Sequence, residues 1–190
     1  RRVLFRSRKS AMLKFFKTLS VQRSGWLLLI ISALVLEGIA LYFQYGMELQ
    51  PCVMCVYERV ALFGLAFAGL FGLIAPRFLI VRLLALLIGF VSVVKGLLLS
   101  LKHVDYQLHP APWNQCSYLP EFPQTLPLDK WFPVLFQPTG SCEDVAWSFL
   151  GFSMAQWIVV MFAIYLLVLL VVLISQFKRL DMRGRRRLFK

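Results

Sequence analysis

The chain has 190 residues, of which 59% are hydrophobic and only 16% charged, with a formal net charge of +12. So much apolar surface cannot be hidden in one water-facing core, which excludes an ordinary soluble domain. The positive charge would suit nucleic acid, but membrane topology alone accounts for its placement, and no nucleic-acid role is assigned.

Residues 1–11 open on arginine, whereas Met12-Leu13-Lys14-Phe15 would make a natural start. They read as a non-native or upstream extension and are set apart from the fold. Residues 12–177 then form a single membrane domain, followed by a basic tail at 178–190. Within the domain four apolar runs, at about 26–43, 56–75, 78–101 and 155–174, reach the roughly 20 residues that cross a bilayer. The expected fold is all-α and integral to the membrane, a bundle of four transmembrane helices.

The first run carries a small-x-small site at Gly38-Ile39-Ala40, as a cleaved signal peptide would. Its length and the interruption at Glu37 favour a retained span. A carboxylate at that depth needs a partner. Glu37 lies about seven residues, roughly 10 Å, from the outer end of its helix, and Lys95 about six residues, roughly 9 Å, from the outer end of the third. Matched depth predicts a Glu37–Lys95 pair. The alternative is a Lys95 that snorkels to the headgroups beside a protonated Glu37.

The link at 44–55 is short and contains Pro51, and Pro76-Arg77 makes a tight turn. Links of that length make the first three spans antiparallel neighbours. The third link, 102–153, holds Pro110, Pro112, Pro120, Pro123, Pro127, Pro133 and Pro138, which argues against long regular structure. Inside it Leu128, Trp131, Phe132, Leu135 and Phe136 fall on one helical face, so a short membrane-associated helix is expected. Pro133 requires that element to be brief or kinked. Loop hydrophobes packed on top of the bundle would give the same pattern.

Seventeen of the 21 basic residues precede the first span, flank the second link or follow the last span. By the positive-inside rule both termini are cytoplasmic, and the links at 44–55 and 102–153 face outward. All four cysteines, Cys52, Cys55, Cys116 and Cys142, lie in those outer links. Outside a bacterial inner membrane disulfides persist. Because each pair shares a link, Cys52–Cys55 and Cys116–Cys142 are the favoured pairings of the three possible.

Cys52 and Cys55 have CxxC spacing just before the second span. A helix starting at Val56 would put Cys55 at its N-terminus, where backbone N–H groups favour an anion, with Arg59 four residues on. Both would support a thiolate, the reactive form of cysteine. A disulfide closing so short a loop gains little entropy and is readily reduced, so redox work is the expected role. Cys116–Cys142 alone would read as a structural staple worth roughly 3 kcal/mol. A four-cysteine zinc site is disfavoured because the second pair is spaced Cx25C, and haem attachment because Tyr57 stands where CxxCH requires histidine.

Pro51-Cys52-Val53-Met54-Cys55-Val56-Tyr57-Glu58-Arg59, the outer link with Cys116 and Cys142, Leu126-Pro127-Leu128-Asp129-Lys130-Trp131 and the Gly-Ser-Cys-Glu run at Cys142 together resemble the DsbB family of bacterial disulfide-forming membrane proteins. The likeness covers Met12 to about Phe177. It implies a thiol:quinone oxidoreductase of the inner membrane, whose partners are a periplasmic thioredoxin-fold oxidase of the DsbA type, the membrane quinone pool and the lipid bilayer. DsbA–DsbB–quinone is the known chain that keeps the bacterial periplasm oxidising. On that likeness the partner would attack Cys116, Cys142 would pass the electrons to Cys52, and Cys55 would face the quinone, ubiquinone or menaquinone. Arg59 would bind a quinone carbonyl, His103 would be a further candidate for the same pocket, and Glu58 would orient its neighbours. A relative dedicated to one partner, or a redox sensor without turnover, are the alternatives.

Overall fold

The computed structural model describes residues 2–177 other than 112, 115, 118 and 123–126, with side chains from residue 12 onward. The basic tail at 178–190 and Leu126 lie outside the described residues.

Helix α1 (Arg2–Val21) ends at Gln22, whose extended backbone (φ −93°, ψ 150°) separates it from α2 (Arg23–Leu41). The Trp26 indole Nε1 donates to the Ser20 carbonyl across this break at 2.9 Å, tying the two helices together. A π-helical turn, Tyr42–Gly46, carries α2 onward. After a short link come α3 (Val53–Ile74) and α4 (Leu79–Leu108), joined by the tight turn at Pro76 and Arg77. The long link follows, and α7 (Met154–Gln176) is the last described helix. Among the described residues four helical stretches are long and apolar enough to cross a membrane: Arg23–Gly46, Val53–Ile74, Leu79–Leu108 and Met154–Gln176. Each agrees with one of the apolar runs read from the sequence.

In the packing, α3 lies against both α2 and α4, α4 against α7, and α1 against α7. The centre is filled by Leu65, Leu86, Val93, Phe162 and Leu169, all buried. Close approach depends on small residues, as is usual between helices in lipid, where van der Waals contact drives association. A methyl group on Gly72 would overlap the Trp26 indole, and one on Gly96 would overlap the Phe162 ring. Large apolar side chains such as Leu28, Ile31, Val35, Leu87 and Val91 stand on the outside. Water would penalise that surface and acyl chains would not.

The long link departs from the single helix expected there. Its apolar segment is two one-turn helices, α5 (Leu128–Trp131) and α6 (Pro133–Phe136), broken at Phe132. Pro133 lacks an N–H and fixes its own φ, so it starts α6 rather than continuing α5. The five apolar residues therefore do not share one face. Phe136 is buried, with its ring near those of Phe63 and Phe122, while Trp131 and Phe132 are exposed. Further on, β1 (Ser148–Phe149) and β2 (Phe152–Ser153) form a hairpin whose turn residues Leu150 and Gly151 both have positive φ. Ser153 then begins α7 through a capping box with Gln156.

Candidate functional site at the cysteine end

The CxxC segment sits one turn deeper in its helix than expected. Helix α3 starts at Val53 rather than Val56, and Cys52 is its N-cap, with its Sγ accepting from the Cys55 N–H at 3.2 Å. Sulfur here takes the place usually held by a serine or aspartate oxygen. Cys52 and Cys55 are free thiols, whereas Cys116 and Cys142 are joined, so only one of the two expected pairings is closed in this structure.

Two backbone contacts bring the pairs to one place. The N–H groups of Thr139 and Gly140 both donate to the Pro51 carbonyl, at 2.9 and 3.0 Å. They seat the long link on the residue before Cys52. Cys52, Met54, Tyr106 and Cys142 consequently form one buried cluster, with Cys55 and Cys116 packed against it. The Tyr57 hydroxyl adds a further tether by accepting from the Glu121 N–H at 2.6 Å.

Behind the CxxC pair, α4 extends two turns past the end expected from hydropathy. Ser100, His103 and Tyr106 follow one another at three-residue intervals and are all buried, so these turns have an inward face although charged Lys102 and Asp105 are exposed on the other side. His103 is central. Its Nε2 lies 3.5 Å from Cys52 Sγ and its Nδ1 3.1 Å from Glu58 Oε1. Glu58 and His103 are both almost completely buried. The resulting line runs carboxylate, imidazole, thiol.

Arg59 faces the other way. Its Nε lies 2.9 Å from Glu37 Oε1, and its Nη1 donates to Gln44 Oε1 at 2.9 Å and to the Leu135 carbonyl at 2.6 Å. Glu37 therefore pairs with Arg59 and not with Lys95, which is exposed on α4. Equal depth was the basis for the Lys95 expectation, but α2 packs on α3, so the cation facing Glu37 comes from α3. The Glu37–Arg59 pair is buried on both sides, with side chains 6% and 5% exposed.

These groups share a cavity of about 570 Å³. Glu37, Cys52, Cys55, Glu58, Arg59 and His103 all line it. Leu36, Ile39, Phe43, Leu62, Met161 and Phe162 supply much of its apolar wall. Such a volume, mostly apolar with a few convergent polar groups, is that of a small-molecule site. Among the described residues, Glu37 Oε2 and Glu58 Oε2 are buried without a hydrogen-bond partner. Buried polar atoms are ordinarily satisfied by protein or water, so these two oxygens are free to accept from a molecule in the cavity.

A family model described as disulfide bond formation protein DsbB matches residues 22–172, most of the chain and all of the site. The chain belongs to the DsbB family. A disulfide bond formation protein B of Mannheimia succiniciproducens is 72% identical over 167 residues, covering 88% of this chain and 94% of that relative. The namesake from Histophilus somni is 64% identical over 179 residues, covering 94% of this chain and 100% of its own length. The one from Haemophilus influenzae strain Rd is 52% identical over 178 residues, 94% of this chain and 99% of its own. As a DsbB protein, the chain is a multi-pass membrane protein and a disulfide-generating oxidoreductase.

Sequence reasoning singled out Cys52, Cys55, Cys116, Cys142, Glu58, Arg59 and His103, and the structure gathers all seven at one end of the bundle. It missed Glu37 and Gln44 as partners of Arg59. The short link between α2 and α3 was the available signal, because it forces the end of α2 to face the start of α3.

Proposed function

We propose that the chain reoxidises a periplasmic thioredoxin-fold dithiol oxidase and delivers the electrons through its two cysteine pairs to a membrane quinone. The protein would sit in the bacterial inner membrane with both termini cytoplasmic and the cysteine links periplasmic, in keeping with the distribution of basic residues. The observation that carries this reading is the apolar cavity with Cys52 and Cys55 in its wall beside the buried Glu37, Glu58, Arg59 and His103. Arg59 engages the described residues through Nε and Nη1, and a guanidinium carries five N–H donors in all, so it retains donors for a carbonyl oxygen. The carboxylate oxygens without partners suit hydroxyl donors. A quinone offers carbonyl oxygens before reduction and hydroxyls after it, and supplies a sink for two electrons and two protons.

The steps balance as thiol–disulfide exchange. A partner thiolate attacks the Cys116–Cys142 disulfide at Cys116, a mixed disulfide forms, and the partner's second thiol releases Cys116 by closing its own disulfide. The Cys142 thiolate then opens a Cys52–Cys55 disulfide, and Cys116–Cys142 recloses. Cys52 and Cys55, now a dithiol, give up two electrons and two protons on reclosing. His103 Nε2 is within reach of the Cys52 proton, and Glu58 holds the ring through Nδ1. This is the arrangement of a general base and its orienting carboxylate.

The deciding experiment is anaerobic quinone reduction by the detergent-purified protein, supplied with a reduced thioredoxin-fold oxidase. Consumption by the parent, abolished by Cys55→Ser and by Cys116→Ser, is the expected result. A parent that keeps its disulfides yet consumes no quinone would overturn the enzyme reading and leave a sensor.

A further inference from the structure

We propose that the reduced Cys52–Cys55 dithiol, together with His103, forms a binding site for a thiophilic cation of the zinc type, and that occupancy of this site holds the enzyme in its dithiol state. The inference rests on the reading that this pair cycles between disulfide and dithiol.

The donor atoms of Cys52, Cys55 and His103 all lie within 4.8 Å of one another. Tetrahedral zinc with bonds of about 2.3 Å to sulfur and 2.05 Å to nitrogen separates a sulfur from a nitrogen by about 3.6 Å, and two sulfurs by about 3.8 Å. Cys52 Sγ and His103 Nε2 are already 3.5 Å apart. The third donor, Cys55 Sγ on the first turn of α3, lies within 4.8 Å of both, at most about 1 Å beyond the separations that tetrahedral zinc sets.

The surroundings also fit. His103 presents Nε2 to the sulfur because Nδ1 is held by Glu58 Oε1 at 3.1 Å. A carboxylate behind a ligating histidine, fixing its tautomer and ring plane, is the usual support of such a metal ligand. Two thiolates and a neutral imidazole around a doubly charged cation leave the ligand set with no net charge, which limits the cost of burial. Three protein donors leave one position open toward the cavity, for water or another small ligand.

Loading displaces two thiol protons and moves no electrons. The sulfurs are then tied up as metal thiolates and cannot close on each other. A Cys52–Cys55 disulfide has no thiolate to offer, so the oxidised protein is closed to the cation. Such an ion would act as a reversible inhibitor that selects one redox state.

The test uses full-length protein carrying Cys116→Ser and Cys142→Ser, so that Cys52 and Cys55 are the only thiols. Reduced protein in detergent, freed of reductant under anaerobic conditions, is titrated with zinc against a chromophoric chelator. One zinc per chain is expected, and none after the Cys52–Cys55 disulfide is formed. Glu58→Gln should weaken binding by about 10–100-fold, the range for removing a carboxylate behind a ligating histidine. His103→Ala should weaken it further, and zinc should shield both thiols from maleimide. Sub-stoichiometric binding to the reduced protein, or equal binding to the oxidised form, overturns the proposal. So does a His103→Ala protein that elutes as the parent does and binds as tightly. If His103→Ala does not fold, the redox comparison and Glu58→Gln decide. Zinc is read here without quinone or partner, so failure of the metal site leaves the turnover reading standing, and failure of turnover leaves zinc binding as a separate result.

Discussion

The buried Glu37–Arg59 pair gives the most direct test of the architecture. At 2.9 Å, and with both side chains almost completely buried, its attraction is about 6 kcal/mol for an effective dielectric constant near 20. Desolvation opposes most of this, so the net worth of the intact pair is small, but removing one member alone leaves a buried charge without compensation. Arg59→Met should therefore cost about 3–5 kcal/mol, with Glu37→Gln somewhat less because the guanidinium keeps Gln44 and the Leu135 carbonyl. The double variant should recover at least about 2 kcal/mol of the summed loss, since neither orphan remains. Unfolding in mixed micelles, followed by tryptophan fluorescence, supplies all four corners of the cycle. The same cycle between Glu37→Gln and Lys95→Met should give a coupling near zero, because Lys95 is exposed on another helix. A Glu37–Arg59 coupling below about 0.5 kcal/mol would refute the pairing and, with it, the α2–α3 register at the cavity.

Two further outcomes follow from close backbone approach. Gly140 lies so near the Gln50 carbonyl that a Cβ would meet it, and Gly140→Val should lift the long link off Pro51. Losing two backbone hydrogen bonds at about 1 kcal/mol each reduces the docked population by roughly 30-fold. Pre-steady-state thiol trapping should then find Cys116–Cys142 reduced by a dithiol partner while transfer to Cys52 lags; unchanged transfer would show that docking does not limit it. Gly96→Ala should cost about 1–3 kcal/mol by forcing its methyl into the Phe162 ring, with Phe162→Leu restoring most of the loss. Thermal unfolding of the single and double variants checks this, and an additive result would mean the two helices separate rather than clash.

How much of this was legible in the sequence depended on which physical quantity each feature needed. Four spans were visible because crossing a bilayer requires only length and composition. The end of α4 was not, because charged Lys102 and Asp105 enter its exposed side while Ser100, His103 and Tyr106 stay buried on the other. A hydropathy count averages those faces together. Depth along a helix was likewise readable for Glu37 and Lys95, but azimuth was not, and azimuth selected Arg59. In the long link, the spacing of Leu128 to Phe136 suggested one apolar face. Pro133 is the obstacle to one continuous helix, and the segment divides there. The site residues were recognisable mainly from the run around CxxC. That Cys52 rather than Cys55 meets the histidine could come only from the fold, because the contact spans α3 and α4, 51 residues apart in the chain.

The length of α4 places the chemistry at a boundary. Thirty residues make a rod of about 45 Å, against a hydrocarbon layer of about 30 Å. With Leu79 at one edge of that layer, His103 stands 24 residues along, roughly 36 Å away, or about 34 Å with a tilt near 20°. On that placement the imidazole would stand a few ångströms past the hydrocarbon edge, at the level of the headgroups, while Leu36 and Leu62 give the cavity wall an apolar side. In the proposed reaction, protons would then be exchanged on the wet side while an apolar electron acceptor would enter from the dry side. The same sulfur atoms would then be served from two media, and neither kind of traffic would have to cross the other's.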